Sequence, residues 1–178
     1  MKKLYTGNMR SGKSKALIKE YIASLEDVDK SKILVVKHSI DTRDDGVIFS
    51  RHYGDLQLKC KLVSSTQELQ ALIQKHQPEV LFIDEAQFFK PDLADLVKPL
   101  QIKVIISGLD YDSDQREWET TKALKPIVNE VITLKARCTV CDEPSSWTAK
   151  IGGPKTRIAI EGKKTIFEPR CDEHYRRI

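Results

Sequence analysis

A chain of 178 residues, 40% apolar and 31% charged, has the size and balance of one main soluble domain with room for a small appendage. No apolar run approaches the roughly 18 residues of a membrane span, and Met1-Lys2-Lys3-Leu4-Tyr5 lacks the apolar stretch of a secretory signal, so a cytoplasmic protein with no membrane partner is expected. The formal net charge of +4 and pI near 8.8 fall short of a nucleic-acid domain and suit a small anionic ligand.

Residues 3–6 read as a short strand that runs into Gly7-Asn8-Met9-Arg10-Ser11-Gly12-Lys13-Ser14. Behind it Ala16, Leu17, Ile18, Tyr21, Ile22 and Leu25 keep an apolar stripe at helical spacing. Ile33-Leu34-Val35-Val36 is apolar on both faces, as a strand buried in a parallel sheet is. Val47-Ile48-Phe49 and Leu56-Gln57-Leu58-Lys59-Cys60 flank a turn near Gly54-Asp55 and predict a hairpin over 46–63. Ser65, with Glu68 three residues on, predicts a capped helix carrying Leu69, Leu72 and Ile73. Val80-Leu81-Phe82-Ile83 is a second buried strand and ends in Asp84-Glu85. A helix over 92–97, a strand Val104-Ile105-Ile106 ending in Ser107-Gly108, a helix over 119–125 and a strand over 130–134 follow. This alternation predicts an α/β fold, a P-loop parallel sheet with flanking helices. After Lys135 the apolar runs shorten and Cys, Gly and Lys take over. The expected division is a nucleotide-binding domain at 1–135 and a small metal-binding module at 136–178.

Gly7 to Ser14 fits G-x-x-x-x-G-K-[ST] between a strand and a helix, as a phosphate-binding loop requires. Glycines let backbone N–H groups curl around phosphates. Lys13 offers a point charge to the β- and γ-phosphates, the helix N-terminus adds its dipole, and the Ser14 hydroxyl is placed to ligate Mg²⁺. Gly7, Asn8, Met9, Arg10, Ser11, Gly12, Lys13 and Ser14 are therefore the expected ATP-binding residues. A bare pattern can match by chance, but here the flanking strand and helix agree with it.

The apolar strand that ends at Asp84-Glu85 supplies the second part. An Asp in that position of P-loop enzymes holds Mg²⁺, which makes Ser14 and Asp84 the expected magnesium ligands. Side chains alternate along a strand, so Glu85 is expected to point elsewhere and to serve as a base. A lone carboxylate there is more often a helix cap; the company of Lys13 and Ser14 favours chemistry. These features indicate phosphoryl transfer without choosing between a kinase and an ATPase.

Cys138-Thr139-Val140-Cys141 and Cys171-Asp172-Glu173-His174 are paired knuckles. Each brings two soft ligands to one ion, and four protein ligands make a closed, structural Zn²⁺ site. The segment between them is expected to be a long loop. Cys60 reads as a small buried hydrophobe, and His38, His52 and His76 receive no role.

These motifs, with Asp41-Thr42-Arg43, Asp84-Glu85-Ala86-Gln87-Phe88-Phe89, Gly108-Leu109-Asp110 and Phe167-Glu168-Pro169-Arg170-Cys171, resemble those of the zinc-containing, tetrameric (type II) thymidine kinases over nearly the whole chain. The resemblance implies ATP-dependent phosphorylation of thymidine and deoxyuridine at the 5′-hydroxyl, in nucleotide salvage for DNA synthesis, by a homotetramer that takes no nucleic acid as partner. It implies catalytic roles for Glu85 as base, Lys13, and Arg43 near the transferring phosphate. Met9 and Phe88 would wall the base, Thr148 would lie beside the thymine methyl, and the backbone of Ile158, Ile160 and Gly162 would read the base edge. Gln87, Leu109 and Phe167 complete the implied substrate set. The segment between the knuckles corresponds to the family's lasso, a zinc-pinned lid.

The chain departs from the family in places. Ser113 stands where a second aromatic face is usual, Asp114 replaces a basic or amide residue, Glu117-Trp118 replaces Pro-Phe, and Phe167 replaces Tyr. Tyr111 and Trp118 are candidate substitutes for the missing ring. The competing expectations are a non-kinase P-loop ATPase or nucleotide-binding module with a structural zinc, and a family member without efficient catalysis.

Overall fold

The computed structural model describes residues 1–42, 46–50, 56–153 and 166–175. Among these, β1 (Lys2–Gly7) leads through the glycine loop to α1 (Lys13–Ser24) and β2 (Ile33–His38). A ribbon of β3 (Val47–Ser50) and β4 (Leu56–Lys59) precedes β5 (Lys61–Val63), α2 (Thr66–His76), β6 (Val80–Asp84), α3 (Leu93–Val97), β7 (Lys103–Ser107), α4 (Glu119–Leu124) and β8 (Glu130–Leu134). The C-terminal part holds β9 (Ala136–Arg137), β10 (Pro144–Ser145), β11 (Trp147–Gly152), β12 (Ile166–Arg170) and α5 (Asp172–Tyr175).

The central sheet has six strands in the order β5-β2-β6-β7-β1-β8, and every pairing in it is parallel. The apolar runs at 33–36, 80–83 and 104–106 are continuous because both faces are covered. Leu34, Val36, Leu81, Ile83, Val104 and Ile106 pack with Leu69, Leu93, Val97 and Leu124 of α2, α3 and α4. Val35, Phe82 and Ile105 pack with Leu17 and Ile18 of α1 and with Ile48 and Leu58 of the β3–β4 ribbon. Each such fully buried side chain contributes about 1.5–3 kcal/mol of transfer free energy.

Local signals explain the boundaries. Ser65 caps α2 by accepting from the Glu68 N–H at 3.2 Å. The Glu68 carboxylate reaches one residue beyond a capping box and accepts from the Ser64 N–H at 2.7 Å. Gln77, left-handed at φ 45°, closes the helix just before Pro78.

Two expectations change. The hairpin predicted over 46–63 ends at Lys59, where the Cys60 N–H donates to the Gly46 carbonyl at 2.9 Å. Residues 61–63 turn away to pair with β2, because this buries Val63 against the main core. The predicted turn near Gly54-Asp55 lies outside the described residues. The stretch between the cysteine knuckles is not simply a loop, since β11 and β12 pair antiparallel from Trp147↔Arg170 onward. Among the described residues, no helix is long and apolar enough to cross a membrane.

Candidate functional site

In a parallel sheet all strands end at one edge, and ligands gather there. Gly7 ends β1, Asp84 ends β6 and Ser107 ends β7, which lies between them. Gly7 has no substitute: its φ is +132°, and a Cβ there would lie 2.0 Å from the Leu134 carbonyl oxygen. Gly12, at φ 93°, turns the chain into α1. The Lys13 ammonium lies across the loop and donates to the carbonyls of Asn8 at 2.6 Å and Gly7 at 3.3 Å, and to Ser11 Oγ at 3.3 Å. Ser14, half-buried, occupies the first turn of α1.

Asp84 is buried and accepts a short hydrogen bond from the Ser107 hydroxyl. Burial and the Glu85 charge push its carboxyl up, to about 7; the Ser107 hydroxyl, the Glu85 backbone N–H and the Lys13 ammonium pull the other way. The same charges therefore meet at one edge of the sheet. Strand alternation does not set the direction of Glu85. Its backbone is left-handed at φ 55° and leaves the strand. Its carboxylate accepts from Gln87 Nε2, and Gln87 Oε1 accepts from the Leu109 N–H at 3.0 Å. Gln87 is buried and thus fixes Glu85 against the end of β7.

The base-facing candidates are spread around this edge. Phe88 is half-buried and meets Trp118 edge-on, with centroids 5.8 Å apart. The Met9 N–H donates to Thr148 Oγ1 at 3.0 Å, joining two of the predicted substrate residues. Phe167 sits half-buried on β12, opposite Lys150. Arg43, Ile158, Ile160 and Gly162 lie outside the described residues. Of the two proposed aromatic substitutes, Trp118 touches Phe88, whereas Tyr111 packs edge-on to Trp147 at 5.4 Å. Ser113 and Asp114 belong to a turn built on Asp112, whose Oδ1 accepts from the N–H groups of Asp114 and Arg116 at 2.9 Å each. The Ser113 carbonyl accepts from the Tyr175 hydroxyl at 2.6 Å, so this turn leans on the metal knuckle.

Sequence reasoning missed several partners. Lys37, 2% exposed, stands across from Asp84 in the β2–β6 register, 3.4 Å from Asp41 and 3.2 Å from the Val47 carbonyl. A buried cation needs such partners. His38, set aside earlier, packs edge-on to Phe89 at 4.7 Å and tilted against Phe88 at 6.2 Å. Burial pushes its pKa below the ordinary histidine value. Ser107 became visible only with strand order. Trp118, by contrast, is a candidate that the sequence already offers, as an aromatic residue near a missing ring.

Cys138, Cys141, Cys171 and His174 bring one ligand atom each within 4.8 Å of one another. Tetrahedral Zn–S bonds of about 2.3 Å place sulfurs about 3.8 Å apart. Cys141 and Cys171 Sγ are separated by 3.7 Å, and His174 Nδ1 lies 3.2 Å from Cys171 Sγ and 3.8 Å from Cys138 Sγ. The donor set and spacing fit zinc with no position left for a reactant. Burial would raise the Cys138 thiol, but N–H groups of Cys171, Val140 and Cys141 outweigh it and bring the pKa to about 6, toward the thiolate a metal needs.

Everything from the first strand to the metal knuckle falls within residues 2–175, the span matched by the family model for thymidine kinase. This chain therefore belongs to the thymidine kinase family and is an enzyme that phosphorylates thymidine.

Proposed function

We propose that the enzyme transfers the γ-phosphoryl group of ATP, bound with Mg²⁺, to the 5′-hydroxyl of thymidine, and of deoxyuridine at the same site. The observation that carries this reading is that Lys13, Asp84 and Glu85 all follow the C-terminal ends of β1 and β6, the two parallel strands that flank β7, near enough for the Lys13 charge to act on Asp84. A nucleotide tail has the charge and shape to lie between them.

The residues divide the work. The N–H groups of the 7–14 loop and the start of α1 would receive the phosphates. Lys13 would exchange its loop carbonyls for β- and γ-phosphate oxygens. Ser14 and Asp84 would hold Mg²⁺, which supplies positive charge beside the transferring group. Arg43 would add a second positive group there. Glu85, oriented by Gln87, would accept the proton of the 5′-hydroxyl. Phe88, backed by Trp118, would face the base, with Met9, Leu109, Thr148 and Phe167 around it. The backbone of Ile158, Ile160 and Gly162 would read the base edge. Cys138, Cys141, Cys171 and His174 would hold one structural zinc, so that 136–178 works as a pinned lid on the 1–135 domain and keeps water from the phosphates.

Side-by-side turnover of the natural deoxynucleosides with ATP and Mg²⁺ tests the proposal. Thymidine should be the best acceptor. Deoxyuridine, lacking one methyl contact, should fall behind by about 10–200-fold in kcat/KM. ATP hydrolysis that proceeds equally fast without any nucleoside would replace the kinase reading with an ATPase.

A further inference from the structure

Asn8 follows Gly7 at the start of the phosphate loop and is 4% exposed, yet its side chain is committed to the distant C-terminal ribbon. Its Nδ2 donates to Ser145 Oγ at 2.6 Å and to the Trp147 carbonyl at 3.1 Å, and its Oδ1 accepts from the Ala136 N–H at 3.0 Å. Both amide hydrogens and the oxygen are used. The partners also settle the amide's orientation, since the reversed group would set NH₂ against an N–H and oxygen against a carbonyl.

The connections continue at both ends. The backbone carbonyl of Asn8 accepts from Lys13 at 2.6 Å, so this residue also positions the ammonium at the loop's mouth. The Trp147 indole N–H donates to the Asp172 carboxylate, in the segment between the metal-site residues Cys171 and His174. Beside this line the Met9 N–H is held by Thr148. Ser145 is fully buried, so separating loop from ribbon would leave several buried polar groups unpaired. That penalty far exceeds the net worth of an ordinary hydrogen bond.

We propose that Asn8 is a positioning residue that makes the phosphate loop and the metal knuckle one mechanical unit, so that nucleotide in the loop strengthens the hold on zinc, and loss of zinc weakens the hold on nucleotide. The inference rests on the reading of the 7–14 loop as the nucleotide site. Because linkage is reciprocal, it can be read from the metal side, away from turnover.

The experiment measures the zinc affinity of the full-length protein by equilibrium competition with the chromogenic chelator 4-(2-pyridylazo)resorcinol. It is run with and without a saturating Mg²⁺ complex of a non-hydrolysable ATP analogue, whose binding is established separately by calorimetry. In the wild-type chain the analogue should raise the affinity for zinc about fivefold or more, and Asn8→Ala should abolish that difference. Analogue that binds without changing the zinc affinity overturns the coupling and leaves the nucleotide reading intact; no binding by calorimetry overturns both. An Asn8→Ala protein that keeps the full difference overturns the assignment to Asn8. Should that variant fail to fold, Ser145→Ala removes a single acceptor and should shrink the difference, whereas an unchanged difference would overturn the proposal.

Discussion

The 7–14 loop and the cysteine–histidine knuckle are both short segments rich in polar atoms, but they are held in opposite ways. The loop hangs from β1, which is flanked by β7 and β8 and rests on fully buried Leu4, Leu17 and Ile105. Its shape is a consequence of sheet packing, and the Gly7 backbone has no freedom beside Leu134. Among its described residues the knuckle region buries Ala136, Cys138, Ser145, Thr148, Ala149 and Pro169, and leaves Val140, Ile151 and Ile166 exposed. These small side chains offset little of the entropy lost in ordering the described part of the segment. Four ligands converging on a metal would offset more. The comparison sets a loop shaped by the hydrophobic core against a knuckle whose four ligand atoms, within 4.8 Å of one another, are spaced to take a metal.

The largest expected effect separates the two regions by chemistry. Glu85→Gln keeps the contact with Gln87 but removes the base, and should lower kcat by about 10²–10⁴-fold. Binding of a fluorescent ATP analogue and the zinc content, about one equivalent per chain for a four-ligand site, should stay the same. Turnover that survives would remove Glu85 from the proton transfer.

Next in size is removal of the metal. Under a strong chelator, amide hydrogen exchange in 136–150 and 166–175 should lose protection, while β1, β6 and β7 keep theirs. Uniform loss of protection throughout the chain would erase the distinction between a core-held and a metal-held region.

The smallest effect concerns the sheet alone. Glu20 on α1 accepts from Lys3 at 2.9 Å and Tyr5 at 2.8 Å, with Lys103 at 3.5 Å. Burial pushes its carboxyl up, but the hydrogen bonds from Lys3 and Tyr5 and the charges of Lys3 and Lys103 outweigh it and hold the group below its ordinary value of 4.5. A depressed carboxylate stabilises the fold above the unfolded pKa, and that stability is lost as pH falls through the folded one. Glu20→Gln should therefore lower Tm by about 2–4 °C at neutral pH, and the gap should close in acid below pH 4.5. A gap independent of pH would assign Glu20 to packing instead of charge.

Much of this was legible beforehand because it is local. The 7–14 loop announces itself within eight residues, and its strand and helix follow from apolar spacing. The C-x-x-C and C-x-x-H pairs specify two half-sites at once. The hairpin boundary at 59 was misread because Lys61-Leu62-Val63 fits either partner, and only the covered face of β2 decides. Glu85 was assigned a direction by strand periodicity, which stops applying where the backbone turns left-handed. The β11–β12 pairing was missed since 166–170 carries Pro169 and charged residues that read as loop.

The sequence alone determined which residue types were present for the chemistry: a glycine loop with lysine and serine, two acids ending an apolar strand, and four soft ligands in pairs. Short-range spacing suffices for these because each motif is smaller than one element of secondary structure. Tertiary structure decided who stands beside whom. Ser107 reaches Asp84 because β7 lies next to β6, Trp118 reaches Phe88 because the turn after β7 returns across the sheet edge, and Asn8 reaches Ser145 across 137 positions. Such contacts depend on strand order and on burial shared between distant segments, and no local pattern encodes either.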